Sequence, residues 1–113
     1  MKTYPLYLNG EWVTSEETID VVDPATGETF ARVATVNREG TKKALADAHA
    51  ALPGWRALTG MQRGDYLLAI AAEVRQRADE IATIMTRENG KPLAESKAEV
   101  NGTIDHLRWF AEE

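Results

Sequence analysis

Cysteine is absent from this chain of 113 residues. Its absence excludes disulfides, thiolate metal sites and cysteine nucleophiles within these residues. With 43% hydrophobic and 27% charged residues, the composition is typical of a globular chain that buries one modest core. Nothing in it indicates an oxidising compartment, and we therefore expect a cytoplasmic protein.

Long apolar runs and clusters of basic residues are also missing. Charges interrupt every hydrophobic stretch well before the roughly 18 residues that a membrane span requires, and no apolar segment with a cleavage site follows Met1. The 13 Lys and Arg are outnumbered by 18 Asp and Glu, which gives a formal net charge of −5. Because nucleic acids are bound by clustered cations, we expect neither a membrane nor a nucleic acid as partner.

The chain lacks the glycine patterns that bind phosphates. No two of its eight glycines have the spacing that opens the dinucleotide-binding motif GxGxxG. Gly90-Lys91 resembles part of a P-loop, but Met85 stands where that motif needs its first glycine, and Pro92 replaces the hydroxyl residue. His49 and His106 lie at no metal-binding interval. We interpret both as solvated or helix-packing side chains.

Turn residues predict two β-hairpins in the first third of the chain. Asn9-Gly10 lies between Leu6–Leu8 and Glu11–Val13 and is typical of a type I′ turn, because both residues tolerate a positive φ. A second pair joins Thr18–Val22 to residues 28–34 through an Asp-Pro-Ala-Thr-Gly turn. Side-chain alternation in that last strand is weak, which predicts a sheet that is only partly covered.

Two helices are predicted to follow. Asn37 is a suitable cap for a helix over residues 38–52, in which apolar side chains recur at helical spacing and which Pro53-Gly54 closes. Thr59 and Gln62 form a capping-box pattern that opens a second helix. The apolar stripes of these two helices comprise Thr41, Ala44, Leu45, Ala48 and Leu52, and then Leu67, Ile70, Ala71 and Val74.

Two more helices complete the prediction. Asp79 is predicted to cap a third helix, nearly continuous with the second, that ends at Asn89-Gly90. Pro92 is predicted as the first residue of a fourth helix, whose stripe comprises Leu93, Val100, Ile104, Leu107 and Phe110. The predicted fold class is α+β, with N-terminal β-hairpins followed by about four helices.

The organisation of the chain is predicted to be simple. No repeat, low-complexity tract or linker interrupts it, so residues 1–113 are predicted to form one unit without an internal boundary. The last helical residues lack a stop signal, and the two terminal glutamates oppose the helix dipole. We therefore expect the chain to be cut from a longer one.

Few residues of the chain are candidates for a catalytic or ligand-binding role. Glu95 and Glu99 lie four apart on the fourth helix, as a general acid and base pair would require, with Lys91 and Lys97 nearby. The simpler interpretation, which we favour, is a solvated face with Lys–Glu contacts. The three tryptophans could stack on a ligand, but their apolar neighbours favour core or interface packing; they are Trp12, Trp55 and Trp109. No catalytic constellation is predicted.

Six phrases, in order and with appropriate gaps, resemble the N-terminus of the aldehyde dehydrogenase superfamily. They lie at residues 7–13, 22–28, 44–55, 88–93, 99–100 and 107–111, so the resemblance extends over essentially the whole chain. Within the superfamily, residues 51–59 and 90–97 are most similar to succinate-semialdehyde dehydrogenases. The resemblance implies an α/β parent fold with a Rossmann-type coenzyme domain, of which residues 1–113 would be the N-terminal part.

The resemblance also implies a function for the parent. Such enzymes oxidise aldehydes to carboxylates with NAD or NADP, through a cysteine nucleophile and a glutamate base that belong to later segments. It therefore implies a scaffold segment without catalytic, cofactor-binding or metal-binding residues. Its partners would be the remainder of the parent chain and further copies in a homo-oligomer. Some members hold a monovalent cation, for which the Val22 carbonyl and Glu99 would be the matching positions.

A second hypothesis remains open. The chain would then be a free-standing, non-catalytic helical module for binding or oligomerisation that kept the family's N-terminal pattern. The reading frame after Glu113 distinguishes the two, because a continuation with a cysteine nucleophile and cofactor motifs supports the first.

Overall fold

A computed structural model describes residues 1–113. Five strands precede four helices, which confirms the predicted α+β class. The chain forms two compact units, Met1–Gly54 and Trp55–Glu113. The assignment of residues 1–113 to one domain stays a prediction. The strands are β1 (Lys2–Tyr4), β2 (Leu6–Leu8), β3 (Glu11–Val13), β4 (Thr18–Val22) and β5 (Thr29–Ala34), and the helices are α1 (Arg38–Ala57), α2 (Gly60–Gln76), α3 (Ala78–Asn89) and α4 (Leu93–Glu112).

The first predicted hairpin is confirmed. β2 and β3 form an antiparallel two-stranded sheet in which Leu8 is paired with Glu11. Asn9 and Gly10 have φ values of 49° and 81°, the left-handed conformation that both central residues of a type I′ turn require. The two-residue turn sets the register of the strands.

The second sheet has three strands in the order β1-β5-β4. The antiparallel pairing of β4 with β5 was predicted, and an ion pair of 2.9 Å joins Asp20 to Arg32 across it. The parallel strand β1 was not predicted, because three residues before a proline carry no alternation that could be read. Ala31 and Ala34 are the buried residues of this sheet.

Helix α1 begins as predicted but ends later. The Asn37 side chain accepts a hydrogen bond of 2.9 Å from the Gly40 amide, as a cap should. The predicted end at residue 52 is wrong, because α1 continues through Pro53 to Ala57. Proline fixes φ at a helical value, although it removes one hydrogen bond and its ring crowds the preceding turn. In the last turn of α1, the Trp55 ring lies 5.8 Å from that of Tyr66.

The predicted apolar stripe of α1 is not a core. None of its residues is buried, and Leu45 is 68% exposed. Helical spacing identified the helix correctly but did not identify a surface that covers it.

Helices α2 and α3 are nearly continuous, as predicted, and only Arg77 separates them. The capping box is present, with bonds from the Gln62 amide to the Thr59 hydroxyl and from the Thr59 amide to the Gln62 side chain. The prediction that Asp79 caps α3 is wrong. Arg77 is the N-cap and its amide still donates to the Glu73 carbonyl, so the chain needs no new side-chain cap there.

Helix α4 packs against both α2 and α3. Gly90 ends α3 in the left-handed conformation, as predicted, at φ 87°. Pro92 was placed one residue too far into the helix, since it is the N-cap of α4 and Leu93 is the first helical residue. The buried core of this unit consists of Ala71, Ala82, Val100 and Ile104. No helix of the chain has the length and apolar character that crossing a membrane would take.

Candidate functional site

The two glutamates proposed as an acid and base pair are not brought together as one. The Glu99 carboxylate accepts a hydrogen bond from the Lys91 ammonium group, and Glu95 is exposed. Lys97 pairs with Asp79 on α3 at 3.0 Å. These charges join the start of α4 to α3 and form a partly solvated face, which agrees with the simpler interpretation.

One polar contact inside the helical unit was not predicted from the sequence. The Ser96 side chain is fully buried, and its hydroxyl lies 2.8 Å from the hydroxyl of Thr86 on α3. The signal was present, because Ser96 lies four residues before Val100 and therefore on the apolar stripe of α4. A buried hydroxyl needs a partner, and Thr86 supplies it.

The tryptophans do not lie in a core. Trp12 is 71% exposed and Trp109 is 63% exposed, so the core-packing interpretation is wrong for both. Trp12 contacts only a neighbouring exposed ring, that of Tyr7 on the paired strand, at 5.0 Å. The interface interpretation stays a prediction.

The histidines are solvated, as interpreted. His49 and His106 are exposed, and the Nδ1 atom of His106 lies 2.8 Å from the Gly102 carbonyl of its own helix.

A shallow apolar groove of about 290 Å³ lies on the surface between α2 and α3. Arg77 lines its end and donates two hydrogen bonds to Glu80. Hydrogen bonding to Glu80, together with its charge, raises the pKa of Arg77 above the ordinary value, and the Glu80 carboxylate offsets the positive charge of the guanidinium group. The lining residues are Tyr66, Ala69, Ile70, Glu73, Val74, Arg77 and Ile81.

Side chains already engage part of the helix N-termini. A pyrophosphate binds to free amide groups at a helix start; Asn37 accepts the hydrogen bond of the Gly40 amide in α1, and Thr59 accepts that of the Gln62 amide in α2. The first turns of α3 and α4 carry carboxylates, which repel an anion.

A family model described as "Aldehyde dehydrogenase family" matches residues 12–113. The chain belongs to the aldehyde dehydrogenase family. The resemblance noted in the sequence is thereby confirmed, and the exposed helices described above are those of an aldehyde dehydrogenase's N-terminal part.

Curated aldehyde dehydrogenases match nearly the whole chain. A glutarate-semialdehyde dehydrogenase of Pseudomonas putida is 41% identical over 109 residues, covering 95% of this chain and 23% of its own. A succinate-semialdehyde dehydrogenase [NADP(+)] of Escherichia coli is 40% identical and covers 94% of this chain and 22% of its own. The chain therefore spans about a quarter of the length of these relatives.

The fold of the chain also matches that of a solved aldehyde dehydrogenase. The crystal structure of lactaldehyde dehydrogenase from Escherichia coli superposes with a TM-score of 0.93 at 35% identity, covering 98% of this chain and 24% of that one. The short strands and the four helices are thus an arrangement that a full-length member of the family contains.

Proposed function

We propose that these residues form the N-terminal scaffold of an NAD- or NADP-dependent aldehyde dehydrogenase. The observation that carries the proposal is the family match over residues 12–113 together with a TM-score of 0.93 to a member of the family. The parent would oxidise an aldehyde to a carboxylate. The helical unit would contribute a rigid surface, held by the core of α2–α4, on which the remainder of the chain packs.

The aldehyde is proposed to be the semialdehyde of a dicarboxylic acid. Support comes from the two relatives described above, which are named for glutarate and succinate semialdehydes. A parent chain should therefore oxidise succinic semialdehyde in preference to an uncharged aldehyde of similar length, measured as kcat/KM. Equal values for the two aldehydes would contradict the substrate class but leave the family unaffected.

The segment alone is proposed to be inactive. It contains no cysteine, so it has no thiolate to add to the aldehyde carbon. Purified residues 1–113 should give no NADPH from succinic semialdehyde and NADP. The Escherichia coli succinate-semialdehyde dehydrogenase, assayed alongside, supplies the positive control; turnover that scales with the concentration of the segment would refute the proposal.

Compartment and assembly are proposed on the same basis. We place the parent in the cytoplasm, because cysteine is absent from this part of it.

We also propose that the parent is a homo-oligomer. Within each copy, the exposed Trp109 and Phe110 on α4 favour a covering partner, which would be the remainder of the chain. The same exposed rings also suit the free-standing oligomerisation module. Sequencing the reading frame after the codon of Glu113 distinguishes the two alternatives, because a continuation with a cysteine nucleophile and cofactor motifs supports the scaffold.

A further inference from the structure

Three Asn-Gly dipeptides occur in the chain, at residues 9–10, 89–90 and 101–102. At such a dipeptide the glycine amide nitrogen can attack the asparagine side-chain carbon Cγ. The Cγ–Nδ2 bond then breaks, ammonia leaves with the amide proton, and a succinimide ring closes. Glycine favours this step because it has no Cβ to hinder the approach.

Hydrogen bonding protects two of the three nitrogens. The Gly90 amide donates to the Thr86 carbonyl at 2.8 Å where α3 ends. Gly102 lies in the interior of α4, ten residues before its end, so its amide belongs to the helical hydrogen-bond ladder. Attack at either site requires a helix segment to open.

The nitrogen of Gly10 is in a different position. In a two-residue hairpin the ladder bonds join the residues that flank the turn, here Leu8 and Glu11, and the amide of the second turn residue lies outside them. Asn9 and Gly10 are both exposed. The reacting nitrogen is therefore not held by the sheet.

The free energy of local unfolding should also be lowest at the hairpin of β2 and β3. β2 and β3 have three residues each and pair only with one another, and a two-stranded sheet is marginally stable in water. In contrast, α4 carries the buried Val100 and Ile104. Local opening free energies rise with such packing.

From these observations we propose that Asn9 is a site of spontaneous deamidation, and that it converts to aspartate and isoaspartate before Asn89 and Asn101 do. Water opens the succinimide at Cγ to give aspartate, or at the backbone carbonyl to give isoaspartate. Both products add one negative charge to the net charge of −5. Isoaspartate also lengthens the backbone by one atom, which is incompatible with the register of β2 and β3.

The three sites serve as mutual controls. The 113-residue chain is incubated at mildly alkaline pH, and conversion of each asparagine is followed by mass spectrometry, since each falls in a separate tryptic peptide. In the folded chain, conversion at Asn9 should be at least about tenfold faster than at the other two, the ratio that about 1.4 kcal/mol of extra opening free energy gives. In denaturant the three rates should converge, because the next residue is glycine in every case.

A second measurement separates the chemistry from digestion artefacts. Asn9→Asp removes the amide, so release of ammonia from the folded chain should fall to the slow rate of the other two sites. Labelling by isoaspartyl methyltransferase should fall as well, to the level set by the slower, water-releasing cyclisation of the new Asp-Gly pair and by the other two sites. Conversion at Asn89 or Asn101 as fast as at Asn9 in the folded chain, or ammonia release unchanged in Asn9→Asp, would overturn the proposal.

Discussion

Ser96 illustrates how one polar residue stabilises the packing of α4 on α3. Its hydroxyl is enclosed and its partner is the Thr86 hydroxyl at 2.8 Å. Ser96→Ala should therefore lower the free energy of unfolding by about 1 kcal/mol, because the Thr86 hydroxyl is left without its partner in a half-buried site. Urea denaturation measures the change as a shift in midpoint at constant slope.

A matched control is available on the same helix. The Thr103 hydroxyl bonds only to the Glu99 carbonyl and is exposed, so Thr103→Ala should change stability by less than about 0.5 kcal/mol. If both variants lost the same free energy of unfolding, the burial of Ser96 would contribute nothing to stability. Stripe positions could be read from the sequence, but the partner could not, because the register of α4 against α3 is a tertiary property.

At the scale of the element, the contact of α2 with α4 depends on a glycine. A Cβ added at Gly64 would lie 2.4 Å from the Ala111 carbonyl oxygen, and a backbone oxygen cannot move aside as a flexible side chain would. Gly64→Ala should cost about 1–3 kcal/mol of stability, the usual range for overpacking. The midpoint of thermal unfolding by circular dichroism would report it.

Gly102→Ala provides the comparison within α4. Its added Cβ meets nothing within 4 Å, so alanine should stabilise the helix by about 0.5–1 kcal/mol through its higher propensity. If Gly64→Ala were also stabilising, α4 would not approach α2 as closely as described.

Element boundaries were predictable where a single residue caps the backbone and were missed where the helix runs through the expected boundary. Asn37, Thr59 and Gly90 each act as predicted, because capping is local chemistry. Pro53 did not end α1, which continues to Ala57, because the fixed φ of proline is compatible with a helix. Asp79 is not a cap, because Arg77 continues the hydrogen bonds of α2 and is itself the N-cap of α3.

At the scale of the molecule, the chain exposes surface that its own residues do not cover. Ile70 is 49% exposed beside the groove and Phe110 is 65% exposed near the end of α4, although both lie on predicted apolar stripes. Of the residues in these two stripes, the structure buries Ala71, Val100 and Ile104. The sequence could not tell how far each stripe is covered, because coverage depends on residues that the stripe does not contain.

Isolated residues 1–113 should therefore self-associate. Burying one large apolar side chain contributes about 1.5–3 kcal/mol, so covering Ile70 and Phe110 in another copy is a sizeable gain beside a typical stability of about 5–15 kcal/mol. Light scattering at micromolar concentration should give a mass above that of one chain, and Ile70→Gln combined with Phe110→Gln should lower it. Thr18→Ser, an exposed position on β4 that carries neither apolar side chain, should leave it unchanged. A monomer that melts cooperatively would contradict the expectation and favour a free-standing binding module, since a stable monomer has no need of a covering partner.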